Sequence, residues 1–178
     1  MTIEEQVEAM LDEAETWLGT NFHHRASVKC IRNENGKIVD VGGVDCACFI
    51  AESFNRSIGA RLTVPEYYDQ WHLHRDDEMY LEHLHLQGFI EIPRAEKRPG
   101  DLIVARVGRL YSHGAIIFGW PCAQCLLDYP RINRESHGCV IQAESRKAGK
   151  VTRVHDVEKN WYFQMNPVKF FRWGPWHV

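Results

Sequence analysis

The sequence lacks both a long hydrophobic run and an excess of positive charge. No apolar stretch approaches the roughly 20 residues that span a bilayer, so we expect no membrane span. The opening segment MTIEEQVEAML is acidic and amphipathic, whereas a secretory signal peptide begins basic and continues apolar. The formal net charge of −3 provides no general attraction for nucleic acid or anionic lipid. We therefore expect no signal peptide and no nucleic-acid or membrane partner.

Internal repeats, low-complexity tracts and linker-like stretches are also absent from the sequence. The chain has 178 residues, of which 44% are hydrophobic. That length is enough for one well-buried core but short for two typical domains. We therefore expect a single domain over residues 1–178.

Six cysteines are present, an even number: Cys30, Cys46, Cys48, Cys122, Cys125 and Cys139. A disulfide framework is typical of smaller secreted chains, and this chain is larger and shows no secretory leader. We therefore expect reduced thiols.

The first part of the sequence carries helix and turn signals. Thr2 and Glu5 form a capping box, and apolar residues then recur at helical spacing until a glycine. This pattern predicts a first helix over residues 3–18. A polar segment follows, in which the pair Asn35-Gly36 is typical of a tight hairpin connection.

A second helix is predicted to begin at Cys46. Asp45 is a natural N-cap residue, and Phe49 and Phe54 follow on one helical face. A third helix is predicted over residues 76–87, because acidic residues open that segment and a glycine follows it.

The second half of the sequence changes from helical to β periodicity. Glycine, proline or polar turns separate its short β-rich runs, which are DLIVARV, SHGAIIFG, GCVIQAE, KVTRVHDV and VKFFRW. Because helices come first and strands follow without alternation, the order predicts an α+β fold in which an antiparallel sheet packs against the helices.

The cysteine pair at the start of the second helix raises the question of catalysis. A thiol at a helix N-terminus faces the positive end of the helix dipole, so Cys46 is a candidate nucleophile, with a buried structural cysteine as the alternative. His113, at the start of an apolar strand, is the candidate base. Gln142, on a predicted neighbouring strand, is a candidate hydrogen-bond partner for that base. Cys48 diverges from Cys46 on the helix surface, so we expect it to be a packing residue without a disulfide to Cys46.

Four segments carry a family resemblance, in this order: GVDCACF, RPGDLIVARV, YSHGAIIFG and VIQAES, after a first helix ending in WLGTNFHH. With them the chain resembles the NlpC-type cell-wall cysteine peptidases. The segments ETWLGTNFHHRAS and NPVKFFRW are similar to the phage-tail branch of that family. The resemblance implies a papain-like fold, no cofactor, and hydrolysis of the peptidoglycan stem peptide, typically between D-glutamate and diaminopimelate.

The resemblance also implies roles for individual residues. Cys46 matches the nucleophile, His113 the general base and Gln142 the third polar residue. Asp45 matches an acid associated with substrate recognition, and Ser112 is expected to line the same groove. The implied activity is that of a cysteine endopeptidase without a metal site.

Three positions depart from the family pattern. Gln142 stands where histidine is most frequent, and its amide can orient an imidazole but cannot titrate. Ala47-Cys48 replaces a small pair that usually ends in glycine, and Asn21-Phe22 stands where tyrosine is common. The departures at Gln142 and Cys48 motivate an alternative function, a catalytically weak tail-tip component that keeps the fold and binds the cell wall. An acyltransferase or amidase with the same Cys-His pair is a third hypothesis.

The phage-tail resemblance carries further expectations about location and partners. Together with the lack of a signal peptide, it implies a phage or prophage protein that is made in the cytoplasm and carried in a virion. Tail-tip proteins are then expected partners besides peptidoglycan.

Two clusters raise the question of metal binding. Cys122, Cys125, His137 and Cys139 are compatible with tetrahedral zinc, with ordinary thiols around a turn, or with a disulfide between the first two. Four histidines concentrate in WHLHRDDEMYLEHLHLQG, namely His72, His74, His83 and His85. His-x-His spacing places two rings on different helix faces, so we interpret these histidines as surface or groove residues.

Overall fold

The computed structural model describes residues 1–65, 78–119, 138–145, 148–155, 157 and 160–177. Within them the chain forms four α-helices, which are α1 (Ile3–Thr16), α2 (Cys46–Ile58), α3 (Met79–Leu86) and α4 (Trp161–Gln164). The same residues form ten strands, which are β1 (Ser27–Val28), β2 (Ile31–Arg32), β3 (Ile38–Asp40), β4 (Gly43–Val44), β5 (Phe89–Ile92), β6 (Leu102–Val107), β7 (Leu110–Gly119), β8 (Cys139–Glu144), β9 (Lys150–Val154) and β10 (Val168–Trp173).

These elements divide between two compact units. The first unit is Met1–Val64 with Ile141–Arg153, and the second unit is Pro65–Val140 with Val154–Val178. The expectation of a single domain over residues 1–178 stays a prediction. Among the described residues, no helix has both the length and the apolar character that crossing a membrane requires.

Helix α1 begins at the predicted capping box. Thr2 Oγ1 accepts a hydrogen bond from the Glu5 backbone N–H at 3.2 Å, and the Glu5 carboxylate accepts one from the Thr2 backbone N–H at 2.7 Å. These bonds satisfy two N–H groups at an end where the helix supplies no partners. The helix ends at Thr16, slightly before the predicted residue 18, because Trp17 is its C-cap and Gly19 adopts a left-handed φ of 89°.

Trp17 lies in the core of the first unit. Its ring is fully buried and meets Phe49 of α2 edge-on, with 6.3 Å between the ring centroids. The indole N–H donates to Glu13 at 3.0 Å, and the same carboxylate oxygen accepts from Lys29 at 2.8 Å. The cationic groups of Lys29 and Arg56 lie 5.7 and 5.3 Å from the ring centroid, within the range of cation–π attraction. One indole therefore joins α1, α2 and the segment before β2.

The hairpin of β2 and β3 confirms the predicted turn at Asn35-Gly36. The two strands pair antiparallel, and Gly36 adopts a left-handed φ of 75°. The Asn33 side chain accepts hydrogen bonds from the backbone N–H groups of Asn35 and Lys37 at 3.1 and 3.0 Å. An asparagine that binds its own following backbone in this way stabilises a turn.

Gly42 leaves no room for a side chain. Its φ is 58°, and a Cβ at this position overlaps the Val28 carbonyl oxygen and lies 2.8 Å from the Lys29 carbonyl carbon. We expect Gly42→Ala to lower the free energy of unfolding by about 3 kcal/mol, because left-handed strain of about 1–2 kcal/mol adds to a clash with fixed backbone. Gly36→Ala is the matched control, since that position has nothing within 4 Å and should lose about 1 kcal/mol. Urea denaturation of the two variants measures both losses. Equal losses of unfolding free energy would contradict the clash at Gly42.

The principal sheet has six strands in the order β5-β10-β6-β7-β8-β9. Strand β10 pairs antiparallel with β5 and β6, and β6 pairs antiparallel with β7. Helices combined with this sheet confirm the predicted α+β class. All five β-rich runs of the second half form strands, whereas β5 is a strand that the sequence analysis did not predict.

The core of the second unit gathers apolar side chains from its strands, from α4 and from Val157, which lies between β9 and α4. Its buried members are Ile92, Ile103, Ala105, Ala115, Ile117, Val140, Val157, Tyr162, Phe163 and Phe170. Helix α3 begins at Met79, inside the predicted range 76–87, whose first two residues lie outside the described residues. Tyr80, Leu81 and Leu84 are its buried residues.

A buried ion pair joins the segment before β6 to β10. Arg172 donates from Nε and Nη2 to the two oxygens of Asp101 at 2.9 and 2.8 Å, and the two residues are 7% and 1% exposed. The Arg98 backbone N–H also donates to Asp101 at 2.8 Å, and Arg172 donates to the Glu96 carbonyl at 2.6 Å. The hydrogen bond to Asp101 raises the pKa of Arg172. The pair is therefore bidentate and supported by backbone groups on both sides.

Candidate active site

Cys46 is the first residue of α2, as predicted, and its thiol is reduced and half-buried. Asp45 is the N-cap of this helix, also as predicted. One Asp45 carboxylate oxygen accepts from the Cys48 backbone N–H at 3.0 Å, and the other accepts from the Arg25 backbone N–H at 2.6 Å. The thiol therefore stands at the positive end of a capped helix, an environment that favours the thiolate.

Asp45 itself is only 1% exposed. Burial raises the pKa of its carboxyl group, because the charged form loses hydration, while the backbone hydrogen bonds and His24 lower it by less. The His24 Nδ1 atom lies 3.6 Å from the carboxylate. The folded protein therefore binds the carboxyl proton of Asp45 more tightly than the unfolded chain does. As a result, the contribution of Asp45 to stability is greatest at acidic pH and decreases as the pH rises above the usual pKa of an aspartate.

Arg25 is a contact of this site that the sequence analysis missed. Its φ of 62° lies in the left-handed region, which costs a non-glycine residue about 1–2 kcal/mol. Its backbone N–H donates to the carboxylate of Asp45, so the strained loop residue is fixed to the helix cap beside Cys46. No sequence pattern marks a left-handed arginine, which is why only the structure reveals the contact.

Cys48 is buried and reduced, as expected for a packing residue that forms no disulfide with Cys46. Burial raises the pKa of its thiol, and the negative charge of Asp45 and a hydrogen bond to that carboxylate raise it further. The Cys48 side chain therefore stays protonated at pH values where an ordinary thiol ionises. The structure thus separates two neighbouring thiols by exposure and by environment.

This difference should appear in thiol alkylation. We expect iodoacetamide at pH 8 to label Cys46 at least about tenfold faster than Cys48, because only a thiolate reacts and Cys48 is both buried and protonated. Cys30, which is also free and buried, is the internal control and should label slowly. Peptide mapping by mass spectrometry measures the three rates, and equal labelling of Cys46 and Cys48 would contradict the prediction.

Ser112 and His113 lie at an irregularity of β7. His113 pairs with Ala105 of β6 and Tyr111 pairs with Arg106, so Ser112 is the extra residue of a β-bulge. Bulges are frequent next to active sites, where they re-aim a side chain. The bulge therefore interrupts the regular pairing of β6 and β7 at Ser112, directly before His113.

His113 is buried against aromatic rings of α4. Its imidazole stacks on Tyr162 with 4.1 Å between centroids and 22° between planes, and the Phe163 centroid lies 6.0 Å away. Asn160 caps α4 by accepting from the Tyr162 backbone N–H at 3.0 Å. Because stacked rings resist rotation, this contact fixes the plane of the imidazole. No motif in the sequence marks Tyr162 as part of a site.

Gln142 lies fully buried on β8, and its side-chain Nε2 donates to the Glu144 carboxylate at 3.1 Å. The strand order places β8 beside β7, so the predicted neighbouring strand is confirmed. Asp45, Cys46 and Gln142 belong to the first unit, and Ser112 and His113 belong to the second. Their assembly into one catalytic site stays a prediction.

Cys139 corrects the expectation of reduced thiols. It is the buried first residue of β8, it is disulfide-bonded, and its sulfur lies 3.3 Å from His155 Nδ1. Because a disulfide sulfur is not a thiolate, Cys139 does not supply a ligand to the hypothetical zinc set. The remaining members, Cys122, Cys125 and His137, lie outside the described residues, as does the hypothetical disulfide between the first two.

The histidine-rich segment shows a structural contact where it is described. The ring of His85 meets Phe171 edge-on at 5.5 Å, and its Nδ1 lies 3.1 Å from the Phe89 carbonyl oxygen. His72 and His74 lie outside the described residues. In the part of the chain that the structure describes, no three His, Cys, Asp or Glu residues are grouped so as to hold a metal ion.

Comparison with known proteins reveals similarity in structure. No protein-family model and no curated protein matches the chain. A lipoprotein-like protein of the NLP/P60 family from Staphylococcus aureus subsp. aureus Mu50 matches with a TM-score of 0.50 at 14% identity, over 93% of this chain and 41% of its own. Ly7917, solved with the hydrolyzing product of MDP, matches with a TM-score of 0.50 at 11% identity, over 94% of this chain and 63% of its own.

The chain therefore spans less than two thirds of the length of both proteins. At sequence identities this low, the two structural matches show a shared fold and nothing further. The expected fold is confirmed on that basis, because the NLP/P60 match covers nearly the whole chain. The chain has the α+β fold of an NLP/P60-family protein, the fold that its resemblance to NlpC-type peptidases predicts.

Proposed function

We propose that this chain is a cysteine peptidase that hydrolyses peptidoglycan stem peptides. The observation that carries the proposal is the setting of Cys46, a reduced, half-buried thiol at the N-terminus of α2 beside a buried Asp45 cap. A thiol in such a position is activated because the helix dipole stabilises its thiolate. The neighbouring thiol of Cys48 is buried and protonated, so Cys46 is the nucleophile of the pair.

In the proposed mechanism His113 is the general base and acid. Its fixed ring plane against Tyr162 supports this role, since a catalytic imidazole must be held in one orientation. Gln142 is the third residue, and its amide oxygen accepts from the imidazole N–H.

The chemistry proceeds through an acyl-enzyme. The Cys46 thiolate attacks the carbonyl carbon of the scissile amide, and the backbone N–H of Cys46 donates to the developing oxyanion. The protonated His113 gives its proton to the leaving amine, which departs as the C–N bond breaks. His113 then takes a proton from water, whose oxygen attacks the thioester; the C–S bond breaks, the acid product leaves, and the Cys46 thiolate and protonated His113 are restored.

The family resemblance motivates the substrate. It favours the bond between D-glutamate and diaminopimelate, with Asp45 and Ser112 contributing to the groove. Ly7917, which shares the fold and was solved with the hydrolyzing product of MDP, supports peptidoglycan as the substrate class. Similarity to the phage-tail branch adds a location to the proposal, a tail particle in which tail-tip proteins are partners.

Incubation of the purified protein with diaminopimelate-type muropeptides tests the proposal. We expect new products whose masses correspond to hydrolysis of one stem-peptide bond. Co-sedimentation with cell wall but no cleavage would instead favour the catalytically weak binding component that the replacement of histidine by Gln142 motivates. Transfer to an added amine, or release of the whole stem peptide, would identify an acyltransferase or an amidase. Neither cleavage nor binding would reject peptidoglycan as the substrate.

A further inference from the structure

The second unit contains a cavity of about 280 Å³ that has no role in the proposed mechanism so far. Its apolar lining residues come from β6, α4, β10 and the segment before α4, and are Ile103, Val157, Phe163, Val168 and Phe170. Because α4 contributes to its wall, we call it the α4 cavity. Its volume is close to the lower end of the range of about 300–1,000 Å³ for small-molecule sites, so it suits one small group.

The polar lining of the α4 cavity carries positive charge. It consists of Arg94 and Gln164, which are both exposed, so Arg94 is the one charged residue among the lining residues. The Lys97 ammonium lies 6.0 Å from the ring centroid of Phe170 and donates to the Arg94 carbonyl at 3.2 Å, which adds a second positive charge nearby. Glu96 is exposed and is not a lining residue. An apolar cavity with this charge favours a small apolar group that carries a carboxylate.

The α4 cavity lies beside the proposed general base. Phe163 lines the cavity, and its ring centroid is 6.0 Å from that of the His113 imidazole. The preceding residue, Tyr162, stacks on the same imidazole. All of these residues belong to the second unit, so the placement rests on that unit alone. In the proposed mechanism His113 protonates the leaving amine, so a group bound next to it lies on the leaving-group side of the scissile bond.

We propose that the α4 cavity binds the C-terminal residue of the leaving peptide, a small apolar residue with a free carboxylate. The inference rests on the proposed function, because it takes His113 as the group that protonates the leaving amine. Arg94 binds the carboxylate, and the apolar lining encloses the side chain. A guanidinium has five N–H donors, so Arg94 can bind a ligand carboxylate together with a protein group.

Two small probes test the ligand class without hydrolysis. N-acetylalanine carries a methyl group and a carboxylate, and N-acetylalaninamide is its neutral counterpart of nearly equal size. In an NMR titration of the ¹⁵N-labelled protein, we expect the acid to shift the backbone signals of Phe163 and Phe170 with a Kd of about 1–10 mM. The amide should bind at least about fivefold more weakly, because it lacks the charge. The inference is overturned by equal binding of the two probes or by no saturable binding of the acid.

Two variants test the role of Arg94. Arg94→Gln removes the positive charge of the lining at an exposed position, so the fold should persist and the preference for the acid should disappear. Lys169→Gln is the matched control, because Lys169 lies between Val168 and Phe170 on β10 but pairs with Glu91 instead of lining the cavity. It should keep the preference. A preference that persists in Arg94→Gln, or that is lost in Lys169→Gln, overturns the inference.

Kinetics with muropeptides connect the α4 cavity to the proposed reaction. Amidation of the C-terminal carboxylate should raise KM by about fivefold to tenfold and change kcat less than about twofold, because the contact is the same in the ground and transition states. Arg94→Gln should raise KM for the free acid alone. A KM that does not respond to amidation overturns the placement of the leaving peptide. If no muropeptide is cleaved but N-acetylalanine binding depends on Arg94, the proposed function fails while the ligand class of the cavity stands.

Discussion

Replacing Cys46 with alanine should abolish hydrolysis, while replacing Cys48 should leave it nearly intact. We expect a loss of about 10⁴-fold or more in kcat for Cys46→Ala, because the nucleophile cannot be substituted by another group at the helix start. Cys48→Ala should keep kcat within about threefold of the wild-type value. The Cys48 thiol is buried and protonated, so it takes part in no step of the proposed reaction. The two positions differ by one residue in sequence, so each variant is the control of the other.

The measurement is turnover of diaminopimelate-type muropeptides, with products identified by mass. Circular dichroism and the urea midpoint of each variant exclude loss of folding as the cause. Equal activity of Cys46→Ala and the wild-type protein would rule out Cys46 as the nucleophile. Loss of activity in Cys48→Ala alone would transfer the assignment to the buried thiol.

Removing one partner of the Asp101–Arg172 pair should cost more stability than any surface change. The carboxylate and guanidinium are both buried and bind each other bidentately, so either partner alone leaves an uncompensated buried charge. We expect Asp101→Ala to lower the free energy of unfolding by about 3–5 kcal/mol. For a chain of this length, that loss corresponds to a fall in Tm of roughly 10 °C.

Strand β10 provides the matched control for this prediction. Lys169 and Glu91 form an ion pair at 2.7 Å, but their side chains are 31% and 45% exposed. Glu91→Ala should cost less than about 1 kcal/mol, because exposed pairs are solvated and screened by salt. Urea denaturation curves of Asp101→Ala and Glu91→Ala, measured together, give the two losses of unfolding free energy. Similar losses would mean that burial does not set the strength of the Asp101–Arg172 pair.

Local signals in the sequence were sufficient for the helix starts. The capping box of Thr2 and Glu5 and the cap at Asp45 depend on residues within three positions of each other, and both predictions are confirmed. The Asn35-Gly36 turn is of the same kind. Such features are predictable because the physical interaction and the sequence pattern span the same few residues.

Contacts between distant segments were not predictable. In the sequence, Glu144 is one polar residue at the end of an apolar run. Its sequence neighbours do not indicate that it is buried and hydrogen-bonded to Gln142. Tyr162 lies 49 positions after His113 in the numbering, yet the two rings stack. Cys139 was expected to be reduced, because composition does not reveal the pairing of one particular cysteine. These contacts follow from the fold, so only the structure identifies them.

The setting of Trp17 has a consequence for local motion in the first unit. Its indole contacts Glu13 of α1, Phe49 and Arg56 of α2, and Lys29 before β2. An opening of any one of these segments uncovers the same ring, so each opening also removes contacts that hold the others. Amide hydrogens in the buried parts of α1 and α2 should therefore exchange with solvent through one shared opening, with similar protection free energies. The two helices would then act as one foldon.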